Sequence, residues 1–437
     1  MKRRSSVALG FIALILIGAL VLVSPWARAD GAWGAFGDAL FTACSAVCVT
    51  GLSVVDVGTE YSHNGIIVLT ALVEIGCIGL ITCGTFLLVA IGRRLSLQRE
   101  FLLMNAYGAP AVKGLRGLIV WVVGSMLAFQ AIGAVVLRAH GFSAARAVFY
   151  SAMSFCNAGF SVDPGSLATW IDDPFAVVTM GLLTILGGSG FLVLFNLFTF
   201  RFAPLRATSR GRLTLHTRTV LRVSAILFCI TLVAFLCAEW GHSLAGMPLA
   251  KRLWVGFYQS VTPRTCGFCL VPTADLQPVT RLVYEVMMFL GGAPGSAAGG
   301  IKVTTLAVLM CTLTAMCRGE TETVISQRTV SSEIVRESIV IVMTLAAMIT
   351  LVMGVLLVTE RGGGIGQDAL FFEAVSAVTT TGLTVGDTTR SLSMAGRIVL
   401  MTAMFCGRLG ALAVVMMIGD RESKRRIRYP QEELVVG

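Results

Sequence analysis

Four short segments of the sequence suit the binding of a dehydrated cation. Each has a phenylalanine ten residues before a glycine, and a leucine or phenylalanine directly after that glycine. They read FTACSAVCVTGLSVVD from Phe41, FYSAMSFCNAGFSVDP from Phe149, FYQSVTPRTCGFCLVP from Phe257 and FEAVSAVTTTGLTVGD from Phe372. A glycine permits backbone angles that turn carbonyl oxygens towards a pore, and rings of carbonyls replace the hydration shell of a monovalent cation. We therefore predict that the four turns converge on one axis.

The predicted filter contains each glycine and the two residues before it. These residues are Val49, Thr50, Gly51, Asn157, Ala158, Gly159, Thr265, Cys266, Gly267, Thr380, Thr381 and Gly382. The residues before the glycines are uncharged, so we do not expect a carboxylate ring to select the ion. Asp56, Asp163 and Asp387 follow the turns and are expected to enrich cations at the outer mouth. The alternative for each glycine is a close-packing point between membrane helices, but four in register favour a filter.

A glycine-rich run at residues 291–300, GGAPGSAAGG, interrupts an apolar helix and is called the intramembrane loop below. It is a poor phosphate loop, because Ile301 stands where a lysine belongs and Lys302 comes one residue late. We predict a flexible gate under the filter; a static kink is the alternative. The predicted gate residues are Gly291, Gly292, Pro294, Gly295, Ser296, Gly299, Gly300 and Lys302, joined by Arg408.

Arg408 lies within the apolar segment at residues 398–418. A charge at the centre of a membrane helix costs at least about 2.5 kcal/mol unless it faces water or a partner. We predict a barrier role for Arg408 beside the ion path. The alternative is a structural ion pair with Glu74, Glu285 or Glu373.

The elements that position these residues follow from the composition. The 437 residues are 56% hydrophobic and 13% charged, with a mean hydropathy of +0.83, so a bilayer is the expected solvent.

The glycine intervals are 108 residues (51 to 159), 108 (159 to 267) and 115 (267 to 382). Around each glycine a long apolar helix precedes a shorter apolar segment, and another long helix follows. This order predicts an all-α membrane protein with four tandem outer helix, pore loop and inner helix repeats around a pseudo-fourfold pore, and eight transmembrane helices.

The predicted repeats divide the whole chain. Repeat 1 covers residues 1–104 with its pore loop near 33–56, and repeat 2 covers 105–212 with its pore loop near 144–164. Repeat 3 covers 213–330 with its pore loop near 251–272, repeat 4 covers 331–420 with its pore loop near 367–387, and 421–437 form a cytoplasmic tail. The predicted inner helices cover 66–91, 175–202, 282–317 and 398–418.

The charge pattern predicts the orientation in the membrane. Basic clusters occur at 2–4, 93–116, 201–222, 318–336 and 421–428, in segments that alternate topology places on one face. The positive-inside rule makes that face cytoplasmic and places both termini there; some of this charge is also suited to anionic lipid. The net charge of +10 does not point to nucleic acid, because 22 of the 34 Lys and Arg lie in these clusters and not in a stripe interleaved with aromatics.

Several other classes fit the sequence poorly. Most of the twelve cysteines lie in apolar runs, which indicates buried thiols, and the four histidines lack ligand spacing. The N-terminus imitates a cleavable signal peptide, but its apolar run is long and its removal would take the first outer helix away. No HExxH, GxSxG or paired aspartate motif occurs in an apolar segment, so we expect no enzyme and no bound organic cofactor.

The four glycine segments and the glycine-rich break resemble the Trk/Ktr/HKT superfamily of potassium transporters over essentially the whole chain. The short N-terminus and the ending from Arg428 to Gly437 resemble KtrB-type rather than TrkH-type members. The resemblance implies potassium at the filter residues, one pore per subunit, a homodimer in a bacterial inner membrane, and a cytoplasmic KtrA-like nucleotide-binding regulatory ring. The filter departs from TVGYG, and Arg264 places a charge three residues before Gly267.

An alternating-access carrier of a monovalent cation is the alternative function, since broken helices and repeats also occur in carriers. Carriers of that type have inverted repeats, whereas two crossings per unit give parallel copies. The sequence therefore favours a potassium pore, with sodium dependence left open.

Overall fold

The computed structural model describes residues 2–91, 114–202 and 213–410, without the side chains of 2–7, 80–91, 114–119 and 199–202. The predicted tail at 421–437 and most of the basic clusters near 93–116 and 201–222 lie outside these ranges.

The described residues form sixteen α-helices and one hairpin. The helices are α1 (Lys2–Leu22), α2 (Phe36–Val47), α3 (Val57–Glu60), α4 (His63–Ile91), α5 (Gly114–Ala139), α6 (Ala144–Cys156), α7 (Pro174–Gly188), α8 (Phe191–Phe202), α9 (Leu215–Glu239), α10 (Leu249–Val261), α11 (Pro278–Phe289), α12 (Val303–Cys317), α13 (Ser332–Thr359), α14 (Gln367–Val378), α15 (Thr388–Ser391) and α16 (Met394–Leu409). The antiparallel strands are β1 (Thr323–Ile325) and β2 (Arg328–Val330).

Side-chain caps begin several of these helices. Ser143 accepts a hydrogen bond from the Arg146 amide at the start of α6, and Thr214 accepts one from the Thr217 amide at the start of α9. Asp173 accepts two amide bonds at the start of α7, where proline is the first helical residue. Each cap satisfies amide groups that have no partner within the helix.

Three helices are long and apolar enough to cross a bilayer, judged on the described residues alone: Val120–Ala139, Leu215–Glu239 and Ser332–Thr359. The pair Pro174–Gly188 and Phe191–Phe198 is a fourth candidate, bent by 100° at its break. The mainly helical prediction is confirmed, whereas the eight-helix layout remains a prediction.

Two details of the sequence prediction are wrong. The second inner helix, predicted as one helix over 175–202, breaks at Ser189 and Gly190, because Gly190 has φ of +81° and cannot continue a right-handed helix. The all-α prediction also omitted the hairpin at 323–330. The break in the third inner helix lies where it was expected, between Phe289 and Val303.

Burial is greatest in the short helices. In α6 and α14 nine residues each are buried, whereas α13, with 28 residues, buries four. The repeated phenylalanines Phe41, Phe149 and Phe372 are buried and Phe257 is half-buried. The short helices therefore form the centre of the protein, and the long helices surround them with apolar side chains exposed outward.

Candidate ion pathway

The four glycines of the pore segments lie together. A Cβ added to Gly51 would lie 2.7 Å from the Cα of Gly159, and one added to Gly159 would lie 2.7 Å from the Cα of Gly267. A Cβ on Gly267 would meet the Thr381 carbonyl oxygen at 2.6 Å, and one on Gly382 would lie 3.2 Å from the Cα of Gly51. The ring closes through all four segments, and each step leaves no room for a side chain.

The residue two positions before each glycine has a left-handed backbone. The φ angles are +53° at Val49, +57° at Asn157, +67° at Thr265 and +51° at Thr380. Three of these four residues are β-branched, for which this conformation is a costly exception. Such strain costs about 1–3 kcal/mol per residue and persists only where the surrounding structure imposes it, most often at functional sites.

In the first and fourth segments, hydrogen bonds hold the amides towards the short helices. The Thr50 amide donates to the Ser45 carbonyl at 2.8 Å, and the Thr381 amide donates to the Ser376 carbonyl at 2.8 Å. The next amides, of Gly51 and Gly382, donate to the hydroxyls of the same two serines at 3.0 and 3.1 Å. With the amides held on the helix side, the carbonyls are free to face the centre. Ser45 and Ser376 were missed in the sequence, although both stand six residues before a glycine.

Three threonine hydroxyls of the segments are buried without a partner: Thr50 Oγ1, Thr265 Oγ1 and Thr380 Oγ1. Buried hydroxyls are nearly always hydrogen-bonded, so each such group calls for an explanation. An oxygen that lines an ion path and coordinates the ion in passage is one.

A cavity of about 280 Å³ lies outside the glycine ring and is lined by the residues that follow the four turns, with Asp56, Asp163 and Asp387 among them. Asp163 also accepts a hydrogen bond from Tyr150 at 2.8 Å and lies 3.3 Å from Arg146. Asp387 lies 3.6 Å from Arg390. The structure thus brings the three predicted acidic residues to one mouth, where arginines offset part of the charge of two.

The intramembrane loop packs between this ring and the break in the second inner helix. The Ala293 amide donates to the Gly188 carbonyl at 3.0 Å, and the Ala297 amide donates to the Gly187 carbonyl at 3.3 Å. In return the Phe191 amide donates to the Gly295 carbonyl at 3.1 Å. The backbone groups freed by the two broken helices therefore satisfy each other, as irregular backbone within a membrane requires.

The opposite side of the loop contacts the predicted filter and two positively charged side chains, Lys302 and Arg408. A Cβ at Gly299 would overlap the Thr379 carbonyl and the Thr380 hydroxyl. Lys302 Nζ donates to the Ala298 carbonyl at 2.6 Å, and an Arg408 NH donates to the Ala297 carbonyl at 2.7 Å. Arg408 is 3% exposed, and no carboxylate in the described ranges lies within ion-pair distance of it, which argues against the proposed pairing with Glu74, Glu285 or Glu373.

Comparison with known proteins decides the family. Residues 5–428 match the TrkH family, described as cation transport protein. This chain belongs to the TrkH family. The resemblance drawn from the glycine segments is thereby confirmed.

Relatives within the TrkH family cover nearly the whole chain. Ktr system potassium uptake protein B of Bacillus subtilis is 31% identical over 98% of this chain and 96% of its own length. The protein of the same name from Vibrio alginolyticus is 32% identical over 99% and 94%. Potassium/sodium uptake protein NtpJ of Enterococcus hirae is 30% identical over 99% and 96%.

A crystal structure of a TrkH-family member supports the fold. The potassium transporter TrkH from Vibrio parahaemolyticus superposes with a TM-score of 0.72, covering 98% of this chain and 86% of that protein at 18% identity. At that identity the match bears on fold alone.

Two further features of this TrkH-family chain were not foreseen. The Gly-Gly-Ser-Gly run at 187–190 breaks the second inner helix, and its composition was a visible signal. Arg264, which the sequence placed close to the filter, turns its guanidinium towards α9, where it hydrogen-bonds the Ser224 hydroxyl at 3.1 Å. Side-chain direction at the end of a pore segment could not be read from spacing.

Proposed function

We propose that this chain carries potassium ions across a bacterial inner membrane through one pore per subunit. The observation that carries the proposal is the convergence of four glycine turns in register, each preceded by a residue with left-handed backbone. The names of the two Ktr relatives, which specify potassium uptake, support the choice of ion.

Selection in this proposal comes from the backbone. Potassium loses its water between the carbonyls of residues 49–51, 157–159, 265–267 and 380–382, where three free threonine hydroxyls add ligands. Asp56, Asp163 and Asp387 raise the local cation concentration at the outer mouth.

The intramembrane loop is the proposed gate. It lies against the Thr380 hydroxyl on one side and is held by Lys302 and Arg408. Hydrogen bonds from a charged donor are worth about 1.5–3 kcal/mol each, enough to hold the loop and small enough to be broken by a regulator. Arg408 also places a positive charge beside the path, which opposes cation passage until the loop moves.

The proposed layout has four repeats with the boundaries given above, eight crossings and both termini in the cytoplasm. Each pore helix packs against the preceding outer helix, in the pairs α1 with α2, α5 with α6, α9 with α10 and α13 with α14. Following the family resemblance, we propose a homodimer on a KtrA-like nucleotide-binding ring, and the word system in the names of the Ktr relatives supports a partner subunit. NtpJ is named for sodium as well as potassium, which supports testing sodium too.

The test is rubidium influx into bacteria that lack their own potassium uptake, with the full chain expressed alone or with a KtrA-like partner. Radioactive rubidium should enter at low external potassium, and external potassium should compete with it. Gly267→Ser should lower the preference for rubidium over sodium while the purified protein stays folded, with a lower melting temperature because the ring has no room for the added Cβ. Failure of uptake with the partner present would refute the proposal.

The same cells test sodium dependence and the carrier alternative. Rubidium influx with and without external sodium separates coupled from uncoupled uptake. If the protein is a pore, the current across a planar bilayer should keep rising with voltage. If it is an alternating-access carrier, the ion flux should reach a ceiling set by the rate of its conformational cycle.

A further inference from the structure

A second cavity, of about 260 Å³, lies to the side of the filter. Its walls come from the end of α7, the middle of α9, the end of the third pore segment and the intramembrane loop, which contributes Gly292. Most of the lining is apolar, with Val220, Leu221 and Phe228 on the α9 side. Arg264 is the charged residue among these walls.

Arg264 lacks a counter-charge among the residues that the structure describes. Its terminal nitrogens donate to Ser224, to the hydroxyl at 3.1 Å and to the carbonyl at 3.4 Å, and its buried Nε has no hydrogen-bond partner. Ser224 is the tenth of 25 residues in the spanning helix α9, so it lies about 14 Å along the axis from Leu215 and about 22 Å from Glu239. A guanidinium at this depth is costly unless an anion accompanies it.

The cavity opens sideways towards the lipid. Ile185 and Ala225, both in its lining, are exposed, and Leu182 and Ile226 extend the same apolar exposed surface along α7 and α9. The volume of about 260 Å³ equals that of about nine waters at roughly 30 Å³ each in the liquid, which is room for the first part of an acyl chain. A single acyl chain fits through such an opening. A two-chain phospholipid could reach Arg264 only if its headgroup left the interface between membrane and water.

We propose that this cavity is a binding site for a long-chain carboxylate, with the acid group paired to Arg264 and the chain leaving between α7 and α9 into the bilayer. The guanidinium is a planar donor suited to a carboxylate, and its Nε faces no other acceptor. The apolar walls hold the first part of the chain. Because Gly292 of the intramembrane loop lines the same cavity, a bound acid lies between the bilayer and the loop.

The experiment is photolabelling of the full-length purified protein in nanodiscs with a diazirine-bearing palmitic acid analogue, followed by peptide mapping. We expect labelled peptides from α7 and α9, and at least a tenfold drop in their labelling in Arg264→Gln. Arg336→Gln, which removes an exposed arginine on α13, is the matched control and should label like the parent.

Two further arms make the outcome decisive. Ala225→Trp keeps Arg264 but fills the opening, so it should lose labelling even if Arg264→Gln does not fold. Unlabelled palmitate should compete, whereas hexadecanol, chloride and inorganic phosphate should not. Equal labelling of Arg264→Gln and its parent, retained labelling of a folded Ala225→Trp, or competition by hexadecanol or by the small anions would overturn the proposal. Labelling needs no ion flux, so this result is independent of the proposed transport function.

Discussion

At the scale of single residues, the filter segments combine two requirements that no ordinary side chain meets. Gly382 has φ of +88°, and a Cβ there would meet Gly51 and overlap the Thr50 carbonyl. Conformational freedom and close approach are thus both needed at the same position. Both requirements also apply at Gly51 and Gly267, which have φ of +94° and +86°, whereas close approach to Gly267 is the requirement at Gly159.

The first prediction separates these two requirements. Gly382→Ala should reduce rubidium uptake at least tenfold, because the methyl group collides with the neighbouring repeat as well as straining the backbone by about 1–2 kcal/mol. Gly362→Ala is the matched control: its φ is also +88°, but nothing lies within 4 Å of the added Cβ. Uptake by that variant should stay within about twofold of the parent at equal expression. Equal losses in both variants would mean that strain, and not the ring, is responsible.

The second prediction concerns the serine that holds a filter amide. Ser376→Ala leaves the buried amide of Gly382 without its acceptor, at a cost of about 1–3 kcal/mol, so the carbonyl positions should loosen. We expect a lower rubidium-to-sodium ratio in competition uptake. Ser260→Ala is the control, because that buried hydroxyl donates only to the Gly256 carbonyl of its own helix at 2.6 Å. A selectivity change of equal size in the control would show a general effect of pore-helix packing.

At the scale of elements, two broken helices share one set of backbone hydrogen bonds. The end of α7 accepts from the intramembrane loop, and the start of α8 donates to it. A change in direction of α8 therefore acts directly on the loop. Since α8 ends at Phe202, next to the basic segment at 201–222, this contact is a route from the predicted cytoplasmic face to the gate.

The third prediction tests this contact. Gly190→Ala would place a Cβ 2.6 Å from the Pro294 carbonyl oxygen, so the loop must shift away from the α7–α8 break. We expect raised rubidium influx in the absence of the regulatory partner, by about tenfold if roughly 1.4 kcal/mol of loop stability is lost. Gly246→Ala is the control, with φ of +76° against +81° and open space around the added atom. Unchanged basal influx in a folded Gly190→Ala would argue against the α7–α8 break as part of the gate.

At the scale of the whole molecule, the bilayer determines which helices are buried and which are exposed. The short pore helices are enclosed by other helices, whereas the outer helices present apolar side chains such as Leu351 and Val358 outward. Glutamates end two outer helices and bind the inner helices that follow: Glu239 accepts from the Gln277 amide at 2.8 Å, and Glu360 accepts from the Ser393 amide at 3.1 Å. These hydrogen bonds lie at the predicted outer face, opposite the basic clusters.

The fourth prediction concerns this orientation. Alkaline phosphatase, which is active only outside the cytoplasm, should be active when fused after Gly246 and inactive when fused after Gly319. Both glycines have open space around them, so the two fusions are comparable sites on opposite faces. Activity in cells, normalised to fusion protein on a blot, is the measurement. The reverse pattern would invert the topology and move the predicted termini outside.

The sequence by itself determined the membrane environment, the four segments and the interrupted third inner helix. Hydropathy, register and helix-breaking residues are local properties, and bilayer thickness turns them into element lengths. Tertiary structure alone decided what the segments touch. The glycine ring, the outward turn of Arg264 and the bonds between loop and broken helix join residues tens to hundreds of positions apart. Spacing along one chain carries no information about such contacts, because they depend on how helices pack and which way each side chain points.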